Sequence, residues 1–172
     1  MSTGSQTLPI GAIGARRRWP ETVDDITVRL VAAVVLAIVV VTVATQWWWL
    51  FVPLFADFLA RTLFGPRWGF TSQLVARTIR PRVGAAPRPK ASAPKRFAAG
   101  IGAVMTGVAS LAWVAGLASG ASWPGVALWV IGAVMVLFPA LEGVFGLCVG
   151  CKLFGLLARL GVVNPDLCVD CA

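Results

Sequence analysis

The four cysteines are the residues of this chain whose type and spacing could do chemistry. They form two Cys-x-x-Cys pairs near the C-terminus, Cys148/Cys151 and Cys168/Cys171. Two thiols at this spacing can form and break a disulfide or carry a sulfur atom, and four thiolates can close around one metal ion. The chain contains no His and no Tyr, which excludes most nucleophile–base pairs and haem ligation by His. Sulfur chemistry is therefore the first expectation.

Thiol exchange is the first kind of sulfur chemistry that the pairs could support. Cys148 and Cys151 follow the last long apolar run, so we expect them at the cytoplasmic membrane interface, where a reducing environment disfavours a static disulfide. The thiolate is the reactive form, and a helix that begins near Cys151 would favour it through its N-terminal dipole and through Lys152. A helix that instead continues through residue 151 would oppose it. The sequence leaves these two cases open.

Zinc binding is the second kind of chemistry, with Cys148, Cys151, Cys168 and Cys171 as ligands. The spacing C-x2-C-x16-C-x2-C falls in the range that is typical of tetrahedral four-thiolate sites. Asp166 and Asp170 lie beside the second pair; carboxylates disfavour a free thiolate, and a metal would offset their charge. An iron–sulfur cluster ranks below zinc. The non-functional alternative is that the cysteines are small buried apolar residues.

The composition predicts an integral membrane protein. The chain has 172 residues, of which 58% are hydrophobic and 13% are charged, and its mean hydropathy is +0.83. A soluble domain of this length could not cover so much apolar surface. The net charge is +8, but the basic residues lie beside the apolar runs, which favours anionic lipid headgroups over nucleic acid as the partner.

Four apolar segments, about 26–45, 47–64, 97–119 and 123–146, predict an all-α membrane bundle of four transmembrane helices arranged as two hairpins, with interfacial helices and a short cysteine-rich tail. The second segment is short and carries Asp57 and Arg61. The expected division of the chain is an N-terminal segment (1–25), a first hairpin (26–64), a basic linker (65–96), a second hairpin (97–147) and a tail with both cysteine pairs (148–172).

The distribution of Lys and Arg predicts the orientation. Basic residues are found before the first segment, throughout the middle linker and in the tail, whereas the two other connections carry no charge. The positive-inside rule then places both termini and the linker in the cytoplasm, in a multi-pass protein of the cell inner (plasma) membrane. Within the linker, residues 70–80 are mildly amphipathic, and residues 81–94 carry four prolines and are expected to be flexible.

Two intramembrane carboxylates are further candidates. Asp57 and Arg61 are four positions apart, which predicts an ion pair within one helix. Glu142 has no partner in its own helix, and an intramembrane carboxylate is a candidate functional residue. A bond to Arg61 or to a linker arginine is an equally good explanation of this carboxylate. Glu142 precedes Cys148 by six positions, about 240° around a straight helix, so the two share a face only if the helix breaks.

Several of these residues resemble a known family. The segment Phe145-Gly-Leu-Cys-Val-Gly-Cys151 after an apolar helix with Glu142, the segments Ala56-Asp57-Phe58 and Phe64-Gly-Pro-Arg67, and the start of the third apolar segment at Arg96-Phe97 resemble the small bacterial membrane proteins filed as domain of unknown function 4395. The resemblance covers about residues 22–160. Members of that family often occur beside thioredoxin-like and rhodanese-like proteins, which implies thiol redox or sulfane-sulfur handling.

Three functions follow as hypotheses. The leading one is a cytoplasm-facing thiol relay, in which Cys148 or Cys151 accepts electrons or a persulfide from a thioredoxin-like or rhodanese-like protein, and Cys168/Cys171 acts as a second dithiol. The second is a non-catalytic membrane protein with the four-cysteine zinc site. The third is a small transporter for a sulfur-containing anion, built as a homo-oligomer, with the cysteines and Glu142 on its path.

Overall fold

A computed structural model describes residues 22–120 and 123–162, in which helices are joined by short turns and loops and accompanied by one pair of short strands. Cys168 and Cys171 lie outside the described residues, as do the first 21 residues. The elements in chain order are β1 (Thr22–Asp24), α1 (Asp25–Thr45), a 3-10 turn (Trp48–Leu50), α2 (Phe51–Phe64), a second 3-10 turn (Pro66–Trp68), α3 (Phe70–Leu74), a π-helical turn (Val75–Ile79), α4 (Arg80–Val83), β2 (Pro89–Ala91), α5 (Ser92–Ser119), α6 (Trp123–Phe145) and α7 (Val149–Arg159).

Three helices of the described part of the chain are long and apolar enough to cross a membrane. They are α1 with 21 residues, α5 with 28 and α6 with 23, and about 20 residues are needed to cross the hydrocarbon core. The predicted second span differs, because α2 has 14 residues and extends only about 21 Å at 1.5 Å per residue. The all-α membrane class is therefore supported, and the fourth crossing stays a prediction.

The surface of these helices suits lipid rather than water. Leu111, Leu117 and Val126 are among the exposed large apolar side chains, and Leu111 is 72% exposed. Trp47, Trp49 and Trp123 are exposed at the end of the bundle where α1 ends and α6 begins. Amphipathic tryptophan rings concentrate at membrane–water interfaces, and apolar patches of this extent on a soluble monomer would be an aggregation hazard.

Asp24 determines where α1 begins. Its carboxylate accepts hydrogen bonds from the backbone N–H groups of Ile26 (3.4 Å) and Thr27 (3.3 Å), which are free at a helix N-terminus. It also accepts the N–H of Arg88 at 2.9 Å and Nε of Arg80 at 2.8 Å. Burial would raise the pKa of Asp24, but these hydrogen bonds outweigh it and hold the pKa below its usual value. Asp24 thus joins α1 to the middle segment of the chain.

The middle segment differs from the expected flexible linker. Residues Arg80–Val83 are helical, β2 pairs antiparallel with β1 so that Val23 faces Lys90, and α5 begins already at Ser92. The prolines are compatible with this because a two-stranded pair has only edge strands. The pairing brings the first turns of α1 and α5 side by side.

Small residues allow the helices to pack closely. A Cβ added at Gly102 of α5 would collide with the ring of Phe58 in α2, and one at Gly143 of α6 would lie 3.4 Å from the backbone N of Ala33 in α1. Such close approach stabilises helix pairs in lipid, where van der Waals contact replaces the hydrophobic effect as the driving force. The resulting core runs along α1, α2, α5 and α6.

Candidate functional site

The helix before the first cysteine pair breaks at Gly146. α6 ends at Phe145, and Gly146 adopts φ +69°, a left-handed conformation that glycine takes without steric cost. The N–H groups of Gly146 and Leu147 turn back to the carbonyl oxygens of Glu142 (3.1 Å) and Leu141 (3.0 Å). The break resolves the alternative left open by the sequence, since a new helix begins just before Cys151.

Cys148 is the N-cap of that new helix. Its Sγ accepts the backbone N–H of Cys151 at 3.3 Å, and α7 extends from Val149 for 11 residues. A side chain that caps a helix satisfies one of its free N–H groups. Cys151 consequently lies in the first turn of α7, where the helix dipole favours a negative charge.

The two thiols of this pair differ in their acidity. A hydrogen bond between the two thiol side chains, in which Cys148 is the donor, raises the pKa of Cys148, and burial raises it further. The same hydrogen bond lowers the pKa of Cys151, and the positive charge of Lys95 adds to that effect. Cys148 is 8% exposed, and Cys151 is more accessible. Cys151 is therefore the better nucleophile, and Cys148 is the buried partner that keeps its proton.

Close packing holds α7 against α5. A Cβ added at Gly150 would clash with Cβ of Ala98 at 2.5 Å, and the rings of Phe97 and Phe154 meet edge to face with centroids 5.7 Å apart. Glycine at position 150 is needed for this approach. Because Gly150 lies between Cys148 and Cys151 in sequence, the contact also determines where the two sulfur atoms sit relative to α5.

A lysine cluster, formed by Lys95, Glu142 and Asp25, lies beside the cysteine pair. Nζ of Lys95 is 2.8 Å from Oε1 of Glu142 and 3.5 Å from Oδ1 of Asp25. The expected partner of Glu142 was Arg61 or a linker arginine, and that expectation is wrong because its hydrogen-bonded partner is Lys95. The cluster joins the first turns of α1 and α5 to the last turn of α6.

The lysine cluster borders a polar cleft of about 190 Å³. The cleft holds both cysteines of the first pair and is lined by three lysines and one acid, namely Lys90, Lys95, Lys152 and Asp25. This excess of positive charge favours a thiolate and attracts anionic groups to it. Sequence reasoning missed Lys95; its one available signal was its position just before the third apolar segment.

An arginine cluster, formed by Arg61, Asp57 and Thr71, lies deeper in the bundle. Nη2 of Arg61 is 2.7 Å from Oδ2 of Asp57, so the predicted ion pair within α2 is present. Asp57 also accepts the N–H of Thr71 at 2.9 Å and its hydroxyl at 2.8 Å. Nε of Arg61 has no hydrogen-bond partner in the described part of the chain. Sequence analysis did not find Thr71, since nothing local links it to Asp57.

A cavity of about 240 Å³ connects the two clusters. Its walls come from α1, α2, α5, α6 and α7 and are mostly apolar. Its polar lining residues are Arg61, Lys95, Glu142 and Cys148. The cavity thus brings Glu142 and Cys148 together, although six residues of straight helix would have separated them. The break at Gly146 is the reason.

The four-cysteine zinc site stays a prediction. Residues 22–120 and 123–162 contain no group of three or more Cys, Asp or Glu side chains that could hold a metal ion. They include Cys148 and Cys151 but neither Cys168 nor Cys171. Two thiolates supply only half of a tetrahedral site.

Comparison with known proteins gives one significant match. A family model described as Domain of unknown function (DUF4395) matches residues 23–159, well over half of the chain, including the first cysteine pair and both polar clusters. Neither the curated proteins nor the solved structures yield a significant match. This match over most of the chain shows that the protein is a member of the DUF4395 family.

Proposed function

We propose that this protein is a membrane thiol protein that passes electrons or sulfane sulfur through Cys148 and Cys151. The observation that carries the proposal is that Cys148 caps α7 and Cys151 lies in the first turn of that helix. Sγ of Cys148 lies 3.3 Å from the N–H of Cys151 at the start of α7, and Lys95 lines the same cleft. A helix N-terminus and a nearby cation are the features that make a cysteine reactive.

The proposed topology has four crossings with both chain ends on the cytoplasmic side. The pairing of β1 with β2 supports it, because α1 and α5 then begin at the same end of the bundle. α1 ends at the opposite end, so the chain must return before α5, and α2 is the connecting helix. Basic residues from Arg67 to Arg96 gather at the end where α1 and α5 begin, which by the positive-inside rule is cytoplasmic.

The proposed exchange begins at Cys151. In the Cys148–Cys151 disulfide, the sulfur of Cys151 is attacked by a thiolate of a reduced thioredoxin-like protein; a mixed disulfide forms, and Cys148 leaves as a thiolate that takes up a proton. The second cysteine of the partner then loses its proton and attacks the mixed disulfide, which releases Cys151 as a thiolate and leaves the partner oxidised and the pair reduced. With a rhodanese-like persulfide, Cys151 would take the terminal sulfur, and the partner's cysteine would leave as a thiolate.

Cys168 and Cys171 are proposed as the second dithiol of the relay. As a disulfide they would accept the electrons of the reduced Cys148/Cys151 pair by the same exchange, or they would accept the sulfur atom from Cys151. The spacing of sixteen residues between the pairs leaves enough chain for the tail to fold back.

Transport of a sulfur-containing anion is a second candidate, and one observation favours it. The cleft with Lys90, Lys95 and Lys152 shares Lys95 and Cys148 with the inner cavity, so an anion gathered by the lysines would meet the cavity mouth. Uptake of a radiolabelled sulfur anion into vesicles containing the purified protein would test it. Uptake that is unchanged in Glu142→Ala and Cys148→Ser would contradict it.

Trapping of partners tests the relay. The Cys148→Ser variant should accumulate mixed disulfides through Cys151 in cells, because the resolving thiol is missing. These should be detectable as reductant-sensitive adducts by mass spectrometry. The matched control is Cys148→Ser/Cys151→Ser, which should trap nothing. Equal adduct levels in the two variants would overturn the proposed function.

Metal analysis of the same purified protein separates the relay from the zinc hypothesis. The relay predicts no bound metal and one pair that reacts readily with an alkylating agent. About one zinc ion per chain with four protected thiols would instead support the four-cysteine site.

A further inference from the structure

We propose that the cavity behind Cys148 binds a membrane quinone, and that the quinone is the two-electron oxidant of the Cys148/Cys151 pair. This inference rests on the proposed function and adds to it the place where the electrons go. The cavity is reached by Cys148 at its cytoplasmic end and by Arg61 from α2.

The size and lining of the cavity suit a ring of low polarity. Its volume of about 240 Å³ exceeds the ~150 Å³ of an apolar cavity that takes up benzene. Phe58, Met105, Met135 and Phe138 are among its apolar lining residues. A hydrophilic anion would lose much of its hydration against the mostly apolar lining, whereas a quinone ring with an alkyl tail partitions into the bilayer in which the bundle lies.

Arg61 supplies the donor that a quinone carbonyl needs. The residue is 8% exposed and lines the cavity. Asp57 pairs with its Nη2 at 2.7 Å, but its Nε finds no acceptor within the described residues. A buried donor without a partner is costly, and a carbonyl oxygen of a ligand would satisfy it. A charge-assisted hydrogen bond of this kind also stabilises the negative charge that a quinone oxygen gains on reduction.

The other polar residues of the cavity lie near the dithiol that gives up the electrons. Cys148, Glu142 and Lys95 line the cavity, and Lys95 and Glu142 are joined at 2.8 Å. Cys148 also lines the lysine cleft together with Cys151. Cys148 therefore lies between the polar lysine cleft and the mostly apolar cavity.

The reaction balances without a further reagent. The Cys148 thiol loses its proton, Cys151 reacts as its thiolate, and an S–S bond forms between the two sulfur atoms. The two electrons released pass to the quinone, whose two carbonyl oxygens become hydroxyls with one proton from Cys148 and one from the medium. The product is a hydroquinone, and the disulfide is then reduced again by a soluble dithiol.

The test uses the full-length protein in lipid nanodiscs, reduced and kept free of oxygen. The probe is a fully substituted benzoquinone with a short alkyl tail, since ring substitution prevents addition of thiols to the ring. In a Cys168→Ser/Cys171→Ser variant, which keeps a single dithiol, we expect one hydroquinone per chain by absorbance, one new disulfide between Cys148 and Cys151 by mass spectrometry, and a rate that saturates with quinone. A rate no faster than that of a small free dithiol would overturn the proposal.

Two variants locate the quinone. Arg61→Gln should raise the quinone concentration for half-maximal rate about tenfold, the effect of losing a hydrogen bond from a charged donor. Met135→Phe fills the cavity from α6 and should do the same without touching the arginine cluster. Arg82→Gln, on the surface, is the control and should match the wild type. Unchanged saturation curves for both cavity variants would contradict binding in this cavity.

Failure here is distinguishable from failure of the proposed function. If the pair is oxidised by a soluble disulfide and traps partners through Cys151 but ignores the quinone, the relay stands and the quinone proposal falls. The same conclusion follows if the cavity is occupied by a lipid chain that the quinone cannot displace. If neither oxidant forms the disulfide, both proposals fall.

Discussion

The arginine cluster and the lysine cluster bury charge in different ways. In the arginine cluster, the side chains of Arg61 and Asp57 are 10% and 4% exposed, and Thr71 donates a further hydrogen bond to the carboxylate of Asp57. In the second, Lys95, Glu142 and Asp25 side chains are 12%, 18% and 22% exposed beside a cleft that holds two thiols. A deeply buried pair mainly holds structure, because either ion left alone is very costly. The electrostatic field of an ion pair near water can act on neighbouring titratable groups, here the two thiols of the cleft.

The largest effect on stability is expected when the arginine cluster loses its carboxylate. Asp57→Ala leaves the Arg61 guanidinium without its counter-ion and the N–H of Thr71 without its acceptor. We expect a loss of about 3–5 kcal/mol in the free energy of unfolding. Thermal unfolding of the protein in detergent measures it. Glu142→Ala removes a carboxylate from the more open cluster and should cost clearly less; equal losses would contradict the distinction.

The next largest loss in the free energy of unfolding is expected when the packing of α7 against α5 is disturbed. Gly150→Leu forces a side chain against Ala98 and should cost about 1–3 kcal/mol. The displaced helix should also change the alkylation rate of Cys151, since Cys148 and Cys151 move with it. Gly125→Ala is the matched control, because no atom lies within 4 Å of an added Cβ. A stable Gly150→Leu variant with normal thiol reactivity would show that this contact does not position the pair.

The field of the lysine cluster should appear in the pH dependence of Cys151. The hydrogen bond from Cys148 and the charge of Lys95 lower the pKa of Cys151, so its thiolate persists below the usual thiol range. Lys95→Met should raise the pKa of Cys151 towards its ordinary value, which leaves less thiolate at neutral pH and slows alkylation several-fold.

Alkylation rates against pH, followed by mass spectrometry, measure the shift. Arg61→Lys retains the charge of the deeper cluster and should leave the profile nearly unchanged. If the pH profile of Lys95→Met matches that of the wild type, the lysine cluster does not influence the reactivity of Cys151.

The smallest effect concerns the aromatic contact that supports α7. Phe154→Leu removes the edge-to-face contact with Phe97, whose centroid is 5.7 Å away, and should cost about 1 kcal/mol. The alkylation rate of Cys151 should change less than in Gly150→Leu, since no atom is forced between the helices. Chemical unfolding in mild detergent is the measurement. A loss larger than that of Asp57→Ala would show that the α7 contact matters more for stability than the arginine cluster does.

Some features could be read directly from local sequence. Apolar length predicts α1, α5 and α6 because the cost of polar groups in lipid acts on each segment independently. The pair Asp57/Arg61 was predictable since residues four apart meet on any helix. The Cys148/Cys151 pair was identified by spacing alone, whereas the part of Cys168/Cys171 stays a prediction.

Other features depend on packing between distant segments. Lys95 and Glu142 lie 47 positions apart, and no periodicity relates them; they meet because α5 begins where α6 ends. The linker gains its strand because β1 offers free backbone groups to Pro89–Ala91. The sequence also left open whether a helix broke before Cys151.

By itself the sequence determined the membrane class, the basic end and the positions of the cysteine pairs, all of which follow from local composition and spacing. Only the tertiary structure decided that Cys151 has the lower pKa of the first pair, that Lys95 lies beside it and that Cys148 lines the inner cavity. The turn at Gly146 places Cys148 and Glu142 on one cavity. Such properties depend on the distance between groups far apart in the chain, and that distance exists only after the helices have packed.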